Sequence, residues 1–442
     1  RLHHRCLQQQ YHHNEGNLLV TLSRLGCDRH PQSDTAAVTA PEEPDRVPML
    51  QRGVTPAFVR RIVRELEALG RGDIDCGQLL NGVHTTSSAT DWQEFDRSRD
   101  AFCLKACCLH TGLSFVETCI LAGLTHDPDT GEAYFGEIKT FVSYTWRSDP
   151  SGPKTITVPN LKVAVEDTLT AADGAADPAA AAMFIDVFVC AQHRGVRPGS
   201  GTCPNATDVG KFEEVVDACE RLVLFCTPLA QPKALGRVWC LFEIMSALKR
   251  GRPVLVALGA SDRAELKRLL LEDFDRLVAL FTTIKSENAE ATVAADRDMI
   301  FGWIRRDLGA NGFQELDQMV ANGMRLWLAK TAKELVVAEG RGGEEEVKVA
   351  ELMDKCAELL QHLAKYDEAE EMYRRALAII EAAYGPDHPD TGTTVNNLAG
   401  VLRDKGQLDE AEEMYRRALV IREAAHGPDH PTTGIAVNNL AG

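Results

Sequence analysis

In the middle of the chain, apolar residues form four short runs that are hydrophobic on both faces. These runs lie at 140–144, 183–189, 221–226 and 253–258. Helical patterns separate them at 161–171, at 211–219 and around 237–250. A strand that is apolar on both faces needs helices on both sides of its sheet. The alternation of strands and helices therefore predicts a doubly wound parallel sheet.

Helical periodicity dominates on either side of this block. Thr55 is suited to cap a helix that starts at Pro56, and Gly70 is suited to end it. A second helix is expected around 96–109. After the block, helical patterns follow at 263–280, 294–308 and 313–335. The chain is therefore predicted to combine an α/β part with helical parts.

The end of the chain contains an internal repeat. Residues 367–377 recur letter for letter as 409–419, an offset of 42 residues. The same offset relates 385–389 to 427–431 and 395–400 to 437–442. A fixed period of this size predicts stacked helical hairpins that form an all-α solenoid. Because the array stops inside a copy and the chain starts at Arg1, we expect either a fragment of a longer protein or an incomplete gene model.

These patterns predict six consecutive parts of the chain. They are a disordered segment 1–50, a small helical region 51–135, an α/β domain 136–260, a helical extension 261–338, a linker 339–345 and a repeat array 346–442.

Composition narrows the function classes. The net charge of −17 argues against a nucleic-acid binder, and no apolar run approaches the ~20 residues of a membrane helix. The thirteen cysteines include no C-x-x-C pair, so we expect reduced thiols, no metal site and a cytoplasmic location. No phosphate-binding loop of Walker type occurs, so nucleoside triphosphate hydrolysis has no support.

The repeat resembles tetratricopeptide repeats of the kinesin-light-chain type. The shared pattern is N-N-L-A followed by D-E-A-E-x-M-Y-R-R-A-L and G-x-D-H-P. The resemblance implies a groove, lined by the first helix of each hairpin, that binds peptides or proteins. It makes Asn396, Asn397, Asn438 and Asn439 the candidate peptide-binding residues, because an amide side chain both donates and accepts hydrogen bonds. The alternative is that one asparagine of each pair bonds only within the repeat.

The central block resembles a divergent TIR domain. The matching stretches are 141–149 (FVSYTWRSD), 184–186 (FID) and 239–243 (WCLFE). This resemblance implies a flavodoxin-like sheet and self-association. Enzymatic members of the family cleave the nicotinamide–ribose bond of NAD with the glutamate of the third motif. That residue is Glu243 here, with NAD as substrate and no cofactor.

On a helical wheel, Glu243 lies at the shoulder of its helix with Trp239, Ser246 and Arg250, so it is expected to be incompletely buried. One alternative places it in a catalytic cleft, and the other makes it a surface residue beside Arg250. The candidate substrate-binding residues are Trp146, Arg147, Asp149, Asp186 and Trp239. For the first three, an ordinary polar loop is the alternative.

Three functions follow as expectations. The first is a signalling adaptor that binds proteins through its repeats and assembles through its TIR-like domain. The second is an NAD glycohydrolase that uses Glu243. The third is a cargo adaptor of the kinesin-light-chain kind, although no sustained heptad pattern occurs in this chain.

Overall fold

The computed structural model describes residues 46–81, 103–108, 113–145, 157–173, 182–192, 203–291, 294–339 and 344–441. The chain divides into two compact units. One comprises Arg1–Asp262 and Asn288–Ile304, and the other comprises Arg263–Glu287 and Arg305–Gly442. Most of the predicted segment 1–50, part of the predicted helix 96–109 and most of the predicted linker lie outside the described residues.

A six-stranded sheet lies at the centre of the first unit. The strands are β1 (Gly53–Val54), β2 (Phe135–Gly136), β3 (Thr140–Ser143), β4 (Met183–Phe184), β5 (Arg221–Phe225) and β6 (Val254–Ala257). Their order across the sheet is β2-β1-β4-β3-β5-β6. Neighbours among β4, β3, β5 and β6 are parallel, which confirms the predicted parallel strands. The order of these four matches doubly wound sheets of the flavodoxin type.

The second predicted strand is shorter than expected. Only Met183 and Phe184 pair with β3, and Asp186–Val189 forms a short helix. A continuous apolar run does not distinguish a strand from a buried helical turn, and Val187, Phe188 and Val189 are indeed all buried. The prediction of a strand over 183–189 was therefore wrong for its second half.

Two antiparallel strands, β1 and β2, extend the sheet beyond β4. They come from a region predicted to be helical, since two-residue strands carry no periodic pattern. Gly53 is needed where they meet, because a Cβ there would lie 2.8 Å from the carbonyl oxygen of Gly136. Side chains from this region, including Phe58 and Phe115, belong to the same hydrophobic core as residues of β3 and β5.

Nine α-helices lie before Ala260 in the described part of the chain. They are α1 (Pro56–Ala68), α2 (Cys76–Asn81), α3 (Leu104–Cys108), α4 (Phe115–Leu121), α5 (Val158–Asp173), α6 (Asp186–Val189), α7 (Pro204–Gly210), α8 (Phe212–Ala218) and α9 (Val238–Lys249). The predicted start of α1 is confirmed, since the Thr55 hydroxyl accepts a hydrogen bond from the Phe58 amide. Gly70 follows α1 with a positive φ of 69°.

A buried charge network joins the start of the described chain to two helices. Arg46 donates to both carboxylate oxygens of Glu117 and to Asp208 at 2.8–3.0 Å. Arg52 donates to the other oxygen of Asp208 at 3.0 Å. All four side chains are almost completely buried, and the two positive and two negative charges balance. Pairing offsets the cost of removing these charges from water.

Four helices lead toward the repeats. They are α10 (Ala260–Glu272), α11 (Phe274–Thr282), α12 (Ala294–Leu308) and α13 (Gly312–Glu339). The predicted helix 294–308 is confirmed with these bounds. The predicted helix 263–280 is interrupted at Asp273, whose φ of −149° and ψ of 59° are not helical.

The repeat region consists of α14 (Glu344–His362), α15 (Tyr366–Tyr384), α16 (Pro389–Asp404), α17 (Leu408–His426) and α18 (Pro431–Ala441). Each helix packs against the next. Buried positions recur on one face of the second helices: Ala369, Tyr373 and Ala376 in α15 correspond to Ala411, Tyr415 and Ala418 in α17. The predicted stack of helical hairpins is confirmed.

Candidate functional site

The carboxyl ends of β3 and β4 bring together several polar side chains of the first unit. Ser143 is the last residue of β3, and Tyr144 follows it. Asp186 follows β4 and begins α6. The Tyr144 hydroxyl donates to Asp186 Oδ1 at 2.6 Å, which links the two strand ends. In parallel sheets, ligands bind at this edge.

Glu243 lies on α9 and is only 7 % exposed. Residues Cys240 through Ala247 are all buried, so nearly the whole circumference of the helix is covered. The expected shoulder position was therefore wrong. The alternative of a surface glutamate beside Arg250 was also wrong, because Arg250 pairs with Asp217 and donates to the Ser246 carbonyl. Helical periodicity could not show this, because it assumes one solvent-facing side.

Burial, together with the nearby Asp186, raises the pKa of the Glu243 carboxyl from 4.5 to about 8. Ser143 lowers it in part. Within the described part of the chain, Glu243 has neither a hydrogen bond of ordinary geometry nor an ion pair. The group is therefore mainly protonated at neutral pH, and the proton is held because the charged form is poorly solvated.

The Ser143 hydroxyl is, after the Glu243 carboxyl, the second buried polar group of this site with an unusual environment. It is buried and has no hydrogen-bond partner of ordinary geometry among the described residues. It still lies close enough to lower the pKa of both Glu243 and Cys240. The Cys240 thiol contacts the Tyr144 carbonyl at 3.6 Å, so its position on α9 is tied to the end of β3. A buried polar group without a partner is rare enough to mark a candidate site.

Asp186 lies close enough to this cluster to raise the pKa of Glu243. Its backbone carbonyl accepts from Gln192 Nε2 at 2.8 Å. Burial and the nearby Asp186 raise the pKa of Tyr144 well above its usual value, so its hydroxyl stays a donor. Asp186 is thus held in a defined orientation. Its predicted contact with a substrate stays a prediction.

Trp239 packs inside the unit. Its ring is half-buried between Phe212, at a centroid distance of 5.2 Å, and Trp303, at 6.2 Å. Its indole Nε1 donates to Asp296 at 3.4 Å. These contacts are sufficient to explain a tryptophan at this position, and its predicted substrate contact stays a prediction. Trp146, Arg147 and Asp149 lie outside the described residues.

A second candidate site lies along the first helices of the repeat hairpins. The 42-residue offset aligns Asp354 of α14 with Asn396 of α16 and Asn438 of α18. Hydrogen bonds connect neighbouring first helices: Thr394 Oγ1 donates to Asp354 Oδ2 at 2.8 Å, and Asn439 Nδ2 donates to Asn396 Oδ1 at 3.1 Å. We call the row formed by Asp354, Asn396, Asn397, Asn438 and Asn439 the inner row.

The four predicted asparagines fall into two kinds. Asn396 is 9 % exposed and bonds to half-buried Asn439, so these two connect adjacent hairpins. The side chains of Asn397 and Asn438 are half-buried and exposed, respectively, and neither makes a hydrogen bond within the described residues. The two unbonded amides are free to meet another molecule. A peptide-binding role for any of the four stays a prediction.

Sequence reasoning missed three features of these sites. Ser143 lies inside a quoted motif, but nothing in the pattern shows that its hydroxyl is buried without a partner. The charge network around Arg52 joins segments distant in sequence, so no local pattern could reveal it. Asp354 could have been found by extending the 42-residue register one copy toward the N-terminus.

In the described part of the chain, no group of three or more His, Cys, Asp or Glu side chains could hold a metal ion. The same residues contain no helix with the length and apolar content needed to cross a bilayer. Cys226 and Cys240 are buried free thiols, and burial strongly raises the pKa of both. They therefore resist ionisation and act as packing residues.

Comparison with known proteins bears on the repeats. A family model described as tetratricopeptide repeat matches residues 349–419 and 391–442. One solved structure, the crystal structure of BtubC (BKLC) from P. vanneervenii, is 23 % identical and covers 40 % of this chain and 76 % of that chain. Its TM-score of 0.24 is too low to support an argument. No curated protein matches.

The family-model match confirms the predicted tetratricopeptide repeats. It does not bear on the TIR type of the α/β block, which stays a resemblance. The chain therefore carries tetratricopeptide repeats over residues 349–442, which indicate a role in binding other proteins.

Proposed function

We propose that this protein is an adaptor whose tetratricopeptide array binds an extended peptide segment of a partner protein along the inner row. The observation that carries the proposal is the pair of unbonded amides at Asn397 and Asn438, on a row whose other asparagines are mutually bonded. An extended peptide offers a backbone donor and acceptor at every residue, and amide side chains complement both.

The test uses the full chain and a phage-displayed library of random dodecapeptides. An enriched peptide is synthesised, and its affinity is measured for the unmodified protein and for Asn397→Ala and Asn438→Ala. Each variant loses about one hydrogen bond, so each affinity should fall about five- to tenfold. Glu371→Ala, an exposed change on α15, is the matched control and should leave the affinity unchanged.

A peptide that binds equally well to the asparagine variants would show that the inner row is not the binding surface. If the library yields no enriched peptide with a correctly folded protein, the array does not bind short peptides and the proposal is wrong.

Glu243 supports a second function, cleavage of the nicotinamide–ribose bond of NAD in a self-associating α/β block. The supporting observation is a buried carboxyl with a raised pKa, at the carboxyl edge of a parallel sheet. It lies close to a serine hydroxyl that has no hydrogen bond of ordinary geometry among the described residues. Perturbed acids of this kind are concentrated at functional sites. Burial keeps the carboxyl mainly protonated at neutral pH, whereas stabilising an oxocarbenium-like state needs the carboxylate. A positively charged nicotinamide ring nearby would favour the ionised form.

This second function is tested by measuring NAD consumption at high protein concentration, with the full chain and its Glu243→Gln variant, between pH 6 and pH 9. The expected result is turnover that rises with pH through about 8 and disappears in the variant. Equal NAD loss in both proteins would show that Glu243 is not catalytic. No loss by the folded protein would leave the adaptor function alone.

A further inference from the structure

The inner row changes its chemistry at the first copy of the repeat. Where α16 and α18 carry the pair Asn396–Asn397 and its counterpart 438–439, α14 carries Asp354 and Lys355. An asparagine side chain is neutral and offers both a donor and an acceptor, whereas an ionised aspartate only accepts. The substitution therefore replaces an adaptable contact by one that prefers a donor with positive charge.

Only one of the two carboxylate oxygens of Asp354 has a hydrogen-bond partner among the described residues. Its Oδ2 accepts the Thr394 hydroxyl at 2.8 Å. Its Oδ1 is enclosed and has no hydrogen-bond partner among the described residues. In the repeat register, Asn397 corresponds to Asn439, which bonds to Asn396, yet Asn397 makes no such bond to Asp354. An acceptor and an amide therefore both lack partners on neighbouring first helices.

An acceptor left in this state raises the free energy of the unbound chain, because it has lost water without gaining a protein donor. A ligand N–H group that reaches Oδ1 would recover that interaction. Asp354 as a whole residue is half-buried, so part of it faces solvent although Oδ1 does not.

The charges around Asp354 also favour a cation. Lys355 lies beside it, but its ammonium pairs with Asp275 at 3.3 Å and with Glu358 at 3.9 Å. Burial is the main cause that raises the pKa of Asp354 to about 7, and Glu358 and Glu351 act in the same direction. The Thr394 hydroxyl and Lys355 oppose this rise. The Asp354 carboxyl therefore has no ion pair with Lys355, whose ammonium pairs with other carboxylates. A bound cation would lower its pKa and restore the carboxylate.

We propose that Asp354 makes the array selective for a partner peptide with a lysine or arginine side chain, which the Asp354 carboxylate binds at the first repeat. This inference rests on the proposed peptide-binding function and specifies the chemistry of its ligand. The copies with asparagine contact the remainder of the peptide, and the copy with aspartate sets its register by requiring a basic residue at one position.

The experiment pans the same dodecapeptide library on the full chain, on Asp354→Asn and on Glu371→Gln. Asn is the residue of the other two copies, so Asp354→Asn should keep the fold, which circular dichroism checks. The unmodified protein and Glu371→Gln should enrich peptides with Lys or Arg at one fixed position, and Asp354→Asn should lose that bias. Glu371 is an exposed carboxylate of α15 and controls for the loss of a negative charge.

An enriched peptide and its version with glutamine at the basic position then provide the quantitative readout. The unmodified protein should prefer the basic peptide by about tenfold or more, as expected for one charge-assisted hydrogen bond, and Asp354→Asn should bind both peptides equally. The preference should grow from pH 6 to pH 8, because the carboxyl must ionise.

The outcomes separate the two proposals. Enriched peptides without a basic bias, or a bias that survives in Asp354→Asn, would refute the role of Asp354 while leaving peptide binding intact. Failure of the unmodified protein to enrich any peptide would refute peptide binding and this inference together.

Discussion

Replacing Glu243 by glutamine should change how the stability of the first unit depends on pH. Burial raises the pKa of this carboxyl to about 8, whereas the exposed group in the unfolded chain has its ordinary value of 4.5. The folded protein therefore holds the proton more tightly than the unfolded chain does. The resulting contribution to stability is fully present below about pH 4.5 and is lost as the pH rises to about 8.

The magnitude follows from the separation of the two pKa values. Each pH unit within this window lowers the unfolding free energy by about 1.4 kcal/mol. Ionisation of Glu243 should therefore lower the unfolding free energy of the unmodified protein by about 2.5 kcal/mol between pH 5 and pH 7. Glutamine does not ionise and has nearly the same shape. The unfolding free energy of Glu243→Gln relative to the unmodified protein should therefore rise by about 2.5 kcal/mol over that interval.

Urea unfolding of both proteins at pH 5, 6, 7 and 8 measures this difference. The fluorescence of Trp239 and Trp303 reports on the first unit, since their rings lie 6.2 Å apart beside α9. Glu371→Gln controls for the change in net charge. Parallel pH profiles for the unmodified protein and Glu243→Gln would refute the raised pKa and, with it, the argument that the carboxyl is protonated at neutral pH.

Four further substitutions test the packing, the charge network and a hydrogen bond between hairpins. Gly392→Ala should destabilise the array by about 1–3 kcal/mol in thermal unfolding, because the new Cβ would lie 2.9 Å from Ile421 Cγ2. Its repeat counterpart Gly434 has open space around it, so Gly434→Ala should stabilise the helix by up to about 1 kcal/mol, and the opposite order would contradict the packing. Arg52→Leu removes a positive charge that pairs with the buried carboxylates of Glu117 and Asp208, so urea unfolding should show a loss of about 3–5 kcal/mol in the stability of the first unit. A loss below about 1 kcal/mol would show that water reaches these charges in solution. Asn439→Ala removes one hydrogen bond between hairpins and should cost about 1 kcal/mol, measured by the same thermal unfolding, unless the bond is absent in solution.

Much of the architecture could be predicted from local patterns. Apolar runs showed where β3, β5 and β6 lie, because each is covered on both faces and tolerates few polar residues. The exact repeat showed the hairpins, because each copy must bury the same face against its neighbours. The N-cap Thr55 marked the start of α1 through chemistry confined to four residues.

Other features depended on segments far apart in the sequence. The two-residue strands β1 and β2 exist because their backbones complete the edge of a sheet, and neither has a periodic pattern of its own. The circumference of α9 is covered from several directions, so helical periodicity misplaced Glu243 at a solvent-facing shoulder. The environment of a side chain is the sum of all the elements around it.

The sequence by itself determined the type and order of the principal elements, the tetratricopeptide repeats and the register that aligns Asp354 with the inner-row asparagines. The tertiary structure alone decided which polar groups have partners. It buried the Glu243 carboxyl, left Ser143 Oγ and Asp354 Oδ1 without a hydrogen bond of ordinary geometry among the described residues, and joined Asn439 to Asn396. The physical reason is that solvation and hydrogen bonding depend on atoms brought together by folding, whereas periodicity depends only on spacing along one element.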